Sequence, residues 1–259
     1  MHEGAVWLVV ANFPGSAFCS NRLRFCAGWE AIVLKHQVIH SPVAMGARSF
    51  PSGRSGTGYA RWGKRAFDIA LAVILLPVLL PVILALAGVV ALDGGAPFFG
   101  HRRVGKGGRG FHCWKIRTMV ADAQEHLAQY LDENPVAAEE WALKHKLDHD
   151  PRITKLGRFL RRSSLDELPQ IFNVLRGEMS FVGPRPVERE ELRRYGLSAG
   201  IYKSLRPGIT GKWQVSGRSN VAYDKRVALD VAYAKKMSWL GDIVILFKTL
   251  TTVAVRSGR

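Results

Sequence analysis

The longest apolar segment of the sequence runs from Ile69 to Leu92 and contains no charged residue. A straight helix over these residues would rise roughly 36 Å, enough to cross a bilayer core of roughly 30 Å. Pro77 and Pro81 lie inside the segment. Each removes one backbone hydrogen bond, and their spacing of four places both on one face, so the pattern predicts a helix that bends.

Cations flank the apolar segment on both sides. Arg61, Lys64 and Arg65 precede it, and it is followed by Arg102, Arg103, Lys106 and Arg109. The positive-inside tendency therefore places both ends in the cytoplasm. A bent helix that enters and leaves by the same face satisfies both observations. We predict a re-entrant membrane hairpin over residues 61–95, in preference to a true crossing or a buried helix of a soluble core.

Residues 1–60 show no sustained periodicity, and we predict an irregular or disordered N-terminal extension without chemistry of its own. Residues 49–58 have the composition of a flexible linker. Glu3 and the shortness of the apolar run 6–10 argue against a signal peptide, and Met45 is a second candidate start.

Two strand-like segments on either side of a glycine-rich basic turn, residues 105–110, predict a β-hairpin. Lys115 and Arg117 alternate with apolar residues, so a strand would present both cations on one face, where they suit a diphosphate. A basic strand lying on anionic lipid has the same pattern. Residues 120–147 follow as one or two amphipathic helices, broken near Asn134-Pro135.

An adjacent carboxylate pair, Asp166-Glu167, lies just before Pro169. Proline fits the opening turn of a helix, so we predict a helix that begins near Asp166 and stops at Gly177. The pair then lies at the positive end of the helix dipole, where a phosphate can also bind. The alternative is a capping box between Ser164 and Glu167. The many cations of residues 152–162 are expected to depress the carboxylate pKa values.

Further cations occupy two rigid or glycine-rich segments. Arg185 stands between two prolines, which fix its position and favour a two-point contact with phosphate. The loop 206–218 carries Arg206 and Arg218 and could wrap a nucleotide or a lipid phosphate; alternatively it packs Trp213 into the core. Residues 223–239 have a helical pattern, and residues 239–248 resemble an interfacial helix.

Composition narrows the class of protein. The formal net charge of +16 indicates an anionic partner, and 47% hydrophobic residues exclude general disorder. Three cysteines without metal-ligand spacing suit a reducing setting. We predict a mainly helical α+β fold in which the re-entrant hairpin precedes a compact cytoplasmic domain, residues 96–259, with a small β-hairpin and interfacial amphipathic helices.

Six motifs stand in a specific order along residues 64–255. They are Lys64-Arg65-Ala66-Phe67-Asp68, Lys115-Ile116-Arg117-Thr118-Met119, Asp150-Pro151-Arg152-Ile153-Thr154, Ser164-Leu165-Asp166-Glu167-Leu168-Pro169-Gln170, Val182-Gly183-Pro184-Arg185-Pro186 and Pro207-Gly208-Ile209-Thr210-Gly211. With them the chain resembles the bacterial sugar transferases, the monotopic phosphoglycosyl transferases that begin polysaccharide assembly on polyprenyl phosphate. Two departures are Leu80 before Pro81, where a small polar residue is common, and His101, where many members carry glutamine.

The resemblance implies transfer of a sugar-1-phosphate from a UDP-sugar to polyprenyl (undecaprenyl) phosphate, starting an exopolysaccharide or related glycan. It implies Asp166 as nucleophile and Mg²⁺ ligand, Glu167 as its acid/base assistant, and Lys115, Arg161 and Arg185 as phosphate-binding cations. His101 and residues 134–141 favour galactose over glucose. The implied setting is the cytoplasmic face of a bacterial inner membrane with its lipids as partners, no nucleic acid, and self-association left open.

Two other functions are compatible with parts of the sequence. A membrane-tethered nucleic-acid-binding protein would explain the charge, but no nucleic-acid module is recognisable and the acidic pair has no role in it. An inactive scaffold of a polysaccharide assembly complex would keep the fold without turnover. The intact Asp166-Glu167 pair argues against the scaffold.

Overall fold

The computed structural model describes residues 58–144, 146–217 and 221–254. The predicted N-terminal extension up to residue 57, and Arg218, lie outside these ranges. Within them the elements are α1 (Lys64–Ala91), β1 (Phe98–Val104), β2 (Gly110–Ile116), α2 (Ala123–Glu133), α3 (Pro135–Lys144), α4 (Lys155–Ser163), α5 (Gln170–Arg176), β3 (Ser180–Val182), α6 (Arg189–Arg193), α7 (Ala199–Ser204), β4 (Gly208–Thr210), α8 (Tyr223–Lys235) and α9 (Trp239–Ala254). This order confirms the mainly helical α+β class.

Helix α1 contains the apolar segment and follows a π-helical turn, Tyr59–Gly63. Within the described ranges it is the one helix long and apolar enough to cross a membrane. Both Pro77 and Pro81 lie inside it, and its helical assignment continues through them. The re-entrant hairpin therefore stays a prediction. The buried residues of α1 form one stripe, namely Lys64, Asp68, Ala72, Ile83, Ala87 and Val90.

Both ends of α1 contact the same folded unit. Near its start, the guanidinium of Arg65 donates to the carbonyls of Val174 at 2.6 Å and Leu175 at 3.0 Å, in α5. Near its end, Arg117 donates to the carbonyl of Val90 at 3.0 Å. The apolar outer face of α1 is exposed along its length, including Ile74, Val78 and Leu84.

The predicted β-hairpin is confirmed as the antiparallel pair β1–β2, in which Phe99 is opposite Lys115. Side chains alternate along β2, so Phe111 and Cys113 are buried while Gly110 and His112 are exposed. The buried pair packs in the main core with Ile171 and other residues of α5. The hairpin thus positions Lys115, two residues after Cys113, beside the segment that leads into α5.

Helix α5 ends as predicted, but it begins later. Gly177 adopts φ 81° at the C-cap, a left-handed conformation that favours glycine. Pro169 is the N-cap, and Asp166 lies in a 3₁₀ turn, Leu165–Glu167, that precedes the α-helix. The capping box given above as the alternative is absent, because Ser164 makes no side-chain hydrogen bond to this turn.

The C-terminal part of the fold adds a parallel pair, β3–β4, and two helices. The predicted helix 223–239 is too long, because Lys236 has a non-helical backbone (φ −117°, ψ 22°) and separates α8 from α9. Helix α9 exposes an apolar face made of Trp239, Leu240, Val244, Phe247 and Leu250. That face suits the predicted interfacial position. Asp242 points the other way and is fully buried.

Candidate active site

The acidic pair lies on a sharp connection between α4 and α5. Ser164 ends α4 with φ 57°, and it is the one non-glycine residue with positive φ in the described ranges. Such a conformation is uncommon for a residue with a side chain and is often found at functional sites. Leu165 then packs on the cluster of Val90, Ile116 and Leu160. With Leu165 fixed in the core, Asp166 is held in place and is only 6% exposed.

Lys115 is the cation closest to both carboxylates. Its Nζ atom lies 2.7 Å from Oε1 of Glu167 and 3.5 Å from Oδ2 of Asp166. Glu167 is about as exposed as Lys115, whereas the Asp166 carboxylate is buried. Lys115 therefore bridges the pair and makes its shorter contact with the more exposed member.

Burial and neighbouring charges shift the pKa values of Asp166 and Lys115. Burial raises the pKa of Asp166 above its ordinary value of 3.8; Lys115 opposes this, and the negative charge of Glu167 adds to it. The expectation of a depressed pKa was wrong for Asp166, because loss of water outweighs the attraction of nearby cations. For Lys115, burial would lower the pKa, but Glu167 and Asp166 outweigh burial and raise it. The lysine therefore remains charged.

Arg161 approaches Asp166 from the last turn of α4. Its Nε atom donates to Oγ1 of Thr118 at 2.8 Å. Burial lowers the pKa of Arg161, and the charge of Asp166 acts in the opposite direction. Gly157 permits this packing, because a Cβ atom added there would lie 2.0 Å from the Thr118 carbonyl oxygen. Helix α4 thus places Arg161 by packing its backbone directly against the Lys115–Thr118 segment.

Arg185 is exposed and is positioned by an aromatic ring. Its guanidinium carbon lies 5.7 Å from the centre of the Trp213 ring, and that of Arg226 lies 4.2 Å from the same ring. Trp213 itself is only 4% exposed. Trp213 is therefore packed inside the fold, as the alternative interpretation of the loop 206–218 expected, and ligand binding by this loop stays a prediction. Cation–π contacts of this kind orient a guanidinium while leaving its N–H groups available.

Cys113 is buried on the same face of β2 as Lys115. Burial raises the pKa of its thiol to about 11, and the charges of Lys115, Glu167, Arg103 and Arg185 all act on it. Arg103 thus contributes to the electrostatic field near Lys115. Sequence reasoning missed Arg103 as a site residue. The register of the hairpin could have predicted it. Arg103 lies opposite Phe111 and therefore shares a face of the hairpin with Cys113 and Lys115.

Two of the remaining predicted cations are engaged elsewhere. Arg117 lies one residue past the end of β2 and contacts the C-terminal end of α1. Its guanidinium thus contacts α1, whereas the ammonium group of Lys115 contacts the carboxylate pair. Arg206 donates through Nε to the Gly177 carbonyl at 2.9 Å, at the end of α5. Phosphate binding by either arginine stays a prediction.

The carboxylate pair Asp166-Glu167 offers oxygen ligands of the kind that Mg²⁺ binds. In the ranges that the structure describes, no three His, Cys, Asp or Glu side chains cluster as a metal site. Mg²⁺ is commonly held by one or two carboxylates and takes its other ligands from water and substrate phosphates. Asp166 and Glu167 supply such a carboxylate pair, so the donor set fits a magnesium ion that is bound together with a phosphorylated substrate.

Comparison with known proteins identifies the family. Residues 59–256 match the family model described as bacterial sugar transferase, and the chain belongs to that family. It is 50% identical over 199 residues to the UDP-galactose-lipid carrier transferase of Erwinia amylovora, and 48% identical over 199 residues to the undecaprenyl-phosphate galactose phosphotransferase of Salmonella typhimurium. It is also 48% identical over 196 residues to the exopolysaccharide production protein ExoY of Sinorhizobium fredii.

The extent of these matches differs. They cover 77% of this chain for the first two relatives and 75% for ExoY. The matched part is 42% of the Erwinia and Salmonella proteins but 87% of ExoY. The family model spans α1 and the elements that follow it, and the matched part is less than half of each of the two longer relatives.

Proposed function

We propose that this chain transfers a sugar-1-phosphate from a UDP-sugar to undecaprenyl phosphate, in the synthesis of an exopolysaccharide or related glycan. The observation that carries the proposal is the buried carboxylate of Asp166 close to the cations Lys115 and Arg161, in a chain of the bacterial sugar transferase family. A carboxylate in such surroundings can act as a nucleophile toward a phosphoryl group that the cations hold.

The proposed reaction has two displacements. In the first, a carboxylate oxygen of Asp166 attacks the β-phosphorus of the UDP-sugar, and the bond from that phosphorus to the bridging oxygen breaks. UMP leaves with the electron pair, and an aspartyl phosphosugar remains. In the second, a phosphate oxygen of undecaprenyl phosphate attacks the same phosphorus. The bond to Asp166 breaks, which restores the carboxylate and yields undecaprenyl-diphosphate-sugar.

The surrounding side chains have distinct roles in this proposal. Lys115, which is charged and contacts both carboxylates, offsets their repulsion of the incoming diphosphate. Arg161 and Arg185 bind phosphate oxygens from two other segments of the chain. Glu167 is more exposed than Asp166 and assists as acid or base. Mg²⁺, held by the carboxylate pair and substrate phosphates, would supply further positive charge.

The proposed acceptor is a lipid, which requires the site to face a membrane surface. We propose that α1 enters and leaves the bilayer by one face, with the folded domain on the cytoplasmic side. Two contacts support this: Arg65, at the start of α1, donates to α5, and Val90, at its end, accepts from Arg117. A perpendicular crossing would separate those two ends of α1 by the bilayer. Labelling of single cysteines placed at Gly58 and Asp93 provides the test. We expect both to react only from the cytoplasmic side, and a periplasmic reaction at either would indicate a crossing.

We propose galactose as the favoured sugar, with glucose second. The support is the names of two relatives, a UDP-galactose-lipid carrier transferase and an undecaprenyl-phosphate galactose phosphotransferase. Parallel assays with UDP-galactose and UDP-glucose would decide between them. A preference for UDP-glucose would contradict galactose as the proposed sugar but would not affect the proposed class of reaction.

The reaction is tested by trapping the intermediate. Membranes with the wild-type chain are incubated with a UDP-sugar labelled in the sugar, without acceptor, and the protein is isolated under denaturing conditions. We expect covalent label that undecaprenyl phosphate releases as lipid product, and no label when the donor is labelled only in uridine. Asp166→Asn should abolish both the covalent label and the lipid product. Persistent labelling of this variant would refute the nucleophile, and a wild type without label or product would favour the inactive scaffold.

A further inference from the structure

A second basic cavity lies at the turn of the β1–β2 hairpin. Its volume is about 560 Å³. Three segments contribute cations to it: the hairpin turn, the end of α5 and the connection before β4. The charged lining residues are Lys106, Arg109, Arg176, Glu178 and Arg206. Four cations and one carboxylate therefore share a single open cavity.

Most of this positive charge is not neutralised by the protein. Lys106, Arg109 and Arg176 make no ion pair with a described residue, and all three are exposed. Glu178 is engaged by a side-chain amide, since its Oε2 atom accepts a hydrogen bond from Nδ2 of Asn173 at 2.6 Å. Like charges held together in this way repel one another, and a bound anion would relieve the repulsion.

The cavity adjoins the start of the apolar helix. A Cβ atom added to Gly177, which lines the cavity, would lie 3.3 Å from Nη2 of Arg65 in the first turn of α1. Burial lowers the pKa of Arg65, and the positive charge of Arg206 lowers it further. Since the exposed apolar surface of α1 begins with Ile69, the cavity lies where a membrane surface would meet the protein.

This cavity is separate from the carboxylate pair. Phe111 lines the cavity, and Lys115 contacts the pair. Their separation of four positions along an extended strand corresponds to roughly 13 Å. None of the lining residues is among those that surround Asp166. A ligand in the cavity would therefore bind without contact with the nucleophile.

We propose that the hairpin-turn cavity is a second phosphate site, which binds the headgroup of an anionic phospholipid. Guanidinium groups from different segments can contact the several oxygens of one phosphate, and basic clusters at a membrane surface attract anionic headgroups. Because the cavity lies beside the start of α1, where a membrane surface would meet the protein, the proposed ligand is a lipid phosphate rather than a soluble phosphate. The site would hold the domain against the bilayer, and it does not depend on the reaction proposed for Asp166.

Binding can be measured on the full chain in uncharged detergent. The probe is phosphatidylglycerol, and native mass spectrometry counts the molecules retained at increasing lipid concentration. The double variant Lys106→Gln, Arg109→Gln removes two cavity cations, and Arg176→Gln removes one from another segment. We expect the double variant to weaken binding at least fivefold and the single variant at least twofold. The matched control, Arg189→Gln with Arg193→Gln, removes two exposed charges of α6 and should change binding less than twofold.

Two further measurements identify the class of ligand and the location of its binding site. Inorganic pyrophosphate added in excess should fail to displace the lipid. If pyrophosphate displaces it and binds with the same dependence on the variants, the cavity is a soluble-phosphate site and the lipid is excluded. Asp166→Asn should leave binding unchanged. Equal losses in the cavity and control variants, or a loss in Asp166→Asn, would overturn the proposal.

Discussion

The ammonium group of Lys64, in the first turn of α1, lies 3.0 Å from Oδ2 of Asp242, in the first turn of α9. It lies equally close, at 3.0 Å, to Oδ1 of Asp68. Tyr59 and Tyr233 donate to the two oxygens of Asp242 at 2.6 and 2.8 Å. One buried lysine of the apolar helix is thus shared by two fully buried aspartates, of which Asp242 connects it to the C-terminal helix.

Removing this lysine should be more damaging than removing one of its partners. Lys64→Met leaves two buried carboxylates without a cation, and we expect a loss of about 3–5 kcal/mol in the free energy of unfolding. Asp242→Asn leaves a one-to-one pair of Lys64 with Asp68 and should cost less. Thermal unfolding of the purified chain in detergent measures both variants.

The control for the lysine is Lys225→Met, which removes an exposed cation of α8. We expect its unfolding temperature to stay close to that of the wild type. A larger loss for Asp242→Asn than for Lys64→Met would contradict the description of Lys64 as the single cation shared by two carboxylates.

Asp166 should destabilise the fold at neutral pH. Its folded-state pKa is raised above 3.8, mainly by burial, so folding disfavours its charged form. The cost is absent well below pH 3.8, where the group is protonated in both states, and grows as pH rises through the folded pKa. We therefore predict that Asp166→Asn raises the unfolding temperature at pH 7 and that this gain shrinks as the pH falls toward 4.

The same raised pKa should appear in the reaction. If Asp166 attacks as a carboxylate, covalent labelling should increase with pH through its folded-state pKa, at a higher pH than an ordinary aspartate would give. Rapid labelling at a series of pH values measures this profile. A stability gain in Asp166→Asn without loss of labelling would separate a buried structural carboxylate from a nucleophile.

Lys115 should be needed for the reaction because it is the cation in contact with both carboxylates. Lys115→Met leaves Asp166 and Glu167 to repel each other and the diphosphate, and we expect labelling to slow by about 10²–10³-fold. Lys115→Arg keeps the charge and should recover part of the rate. The matched control, Lys155→Met, removes an exposed cation at the start of α4 and should label at the wild-type rate. Equal rates for Lys115→Met and this control would exclude the assigned role.

Local signals in the sequence predicted the local structure well. The glycine-rich turn predicted the hairpin, Gly177 predicted the end of α5, and Asn134-Pro135 predicted the boundary between α2 and α3. Each of these depends on the backbone preferences of a few neighbouring residues. The contact of Arg117 with α1 was not foreseen, because alternation within a strand does not place a side chain once the strand ends at Ile116.

Contacts between distant segments could not be predicted from spacing. Arg206 was predicted from its glycine-rich loop to bind phosphate, and the spacing of that loop did not reveal that its Nε atom donates to the end of α5. The partner of Asp242 could not be found from spacing either, because Lys64 lies 178 positions earlier in the sequence. The burial of Asp242 follows from that pairing. The raised pKa of Asp166 likewise depends on its burial, which neighbouring charges in the sequence do not reveal.

Gly157 offers a test of how α4 positions Arg161. A Cβ atom at this position would lie 2.0 Å from the carbonyl oxygen of Thr118 and 2.9 Å from its Cα atom, and backbone cannot move aside as a flexible side chain can. Gly157→Ala should therefore push α4 away, at a cost of about 1–3 kcal/mol in the free energy of unfolding. Because Arg161 donates to Thr118, labelling should also slow.

The matched control for this change is Gly200→Ala in α7. A Cβ atom there meets nothing within 4 Å, and alanine favours a helix over glycine by roughly 0.5–1 kcal/mol. The same substitution should thus stabilise the chain at Gly200 and destabilise it at Gly157. The unfolding temperatures of the two variants, each compared with the wild type, test this difference in sign. If Gly157→Ala were as stable as Gly200→Ala, α4 could not be packed on Thr118 in this way, and the position of Arg161 beside Asp166 would lose its support.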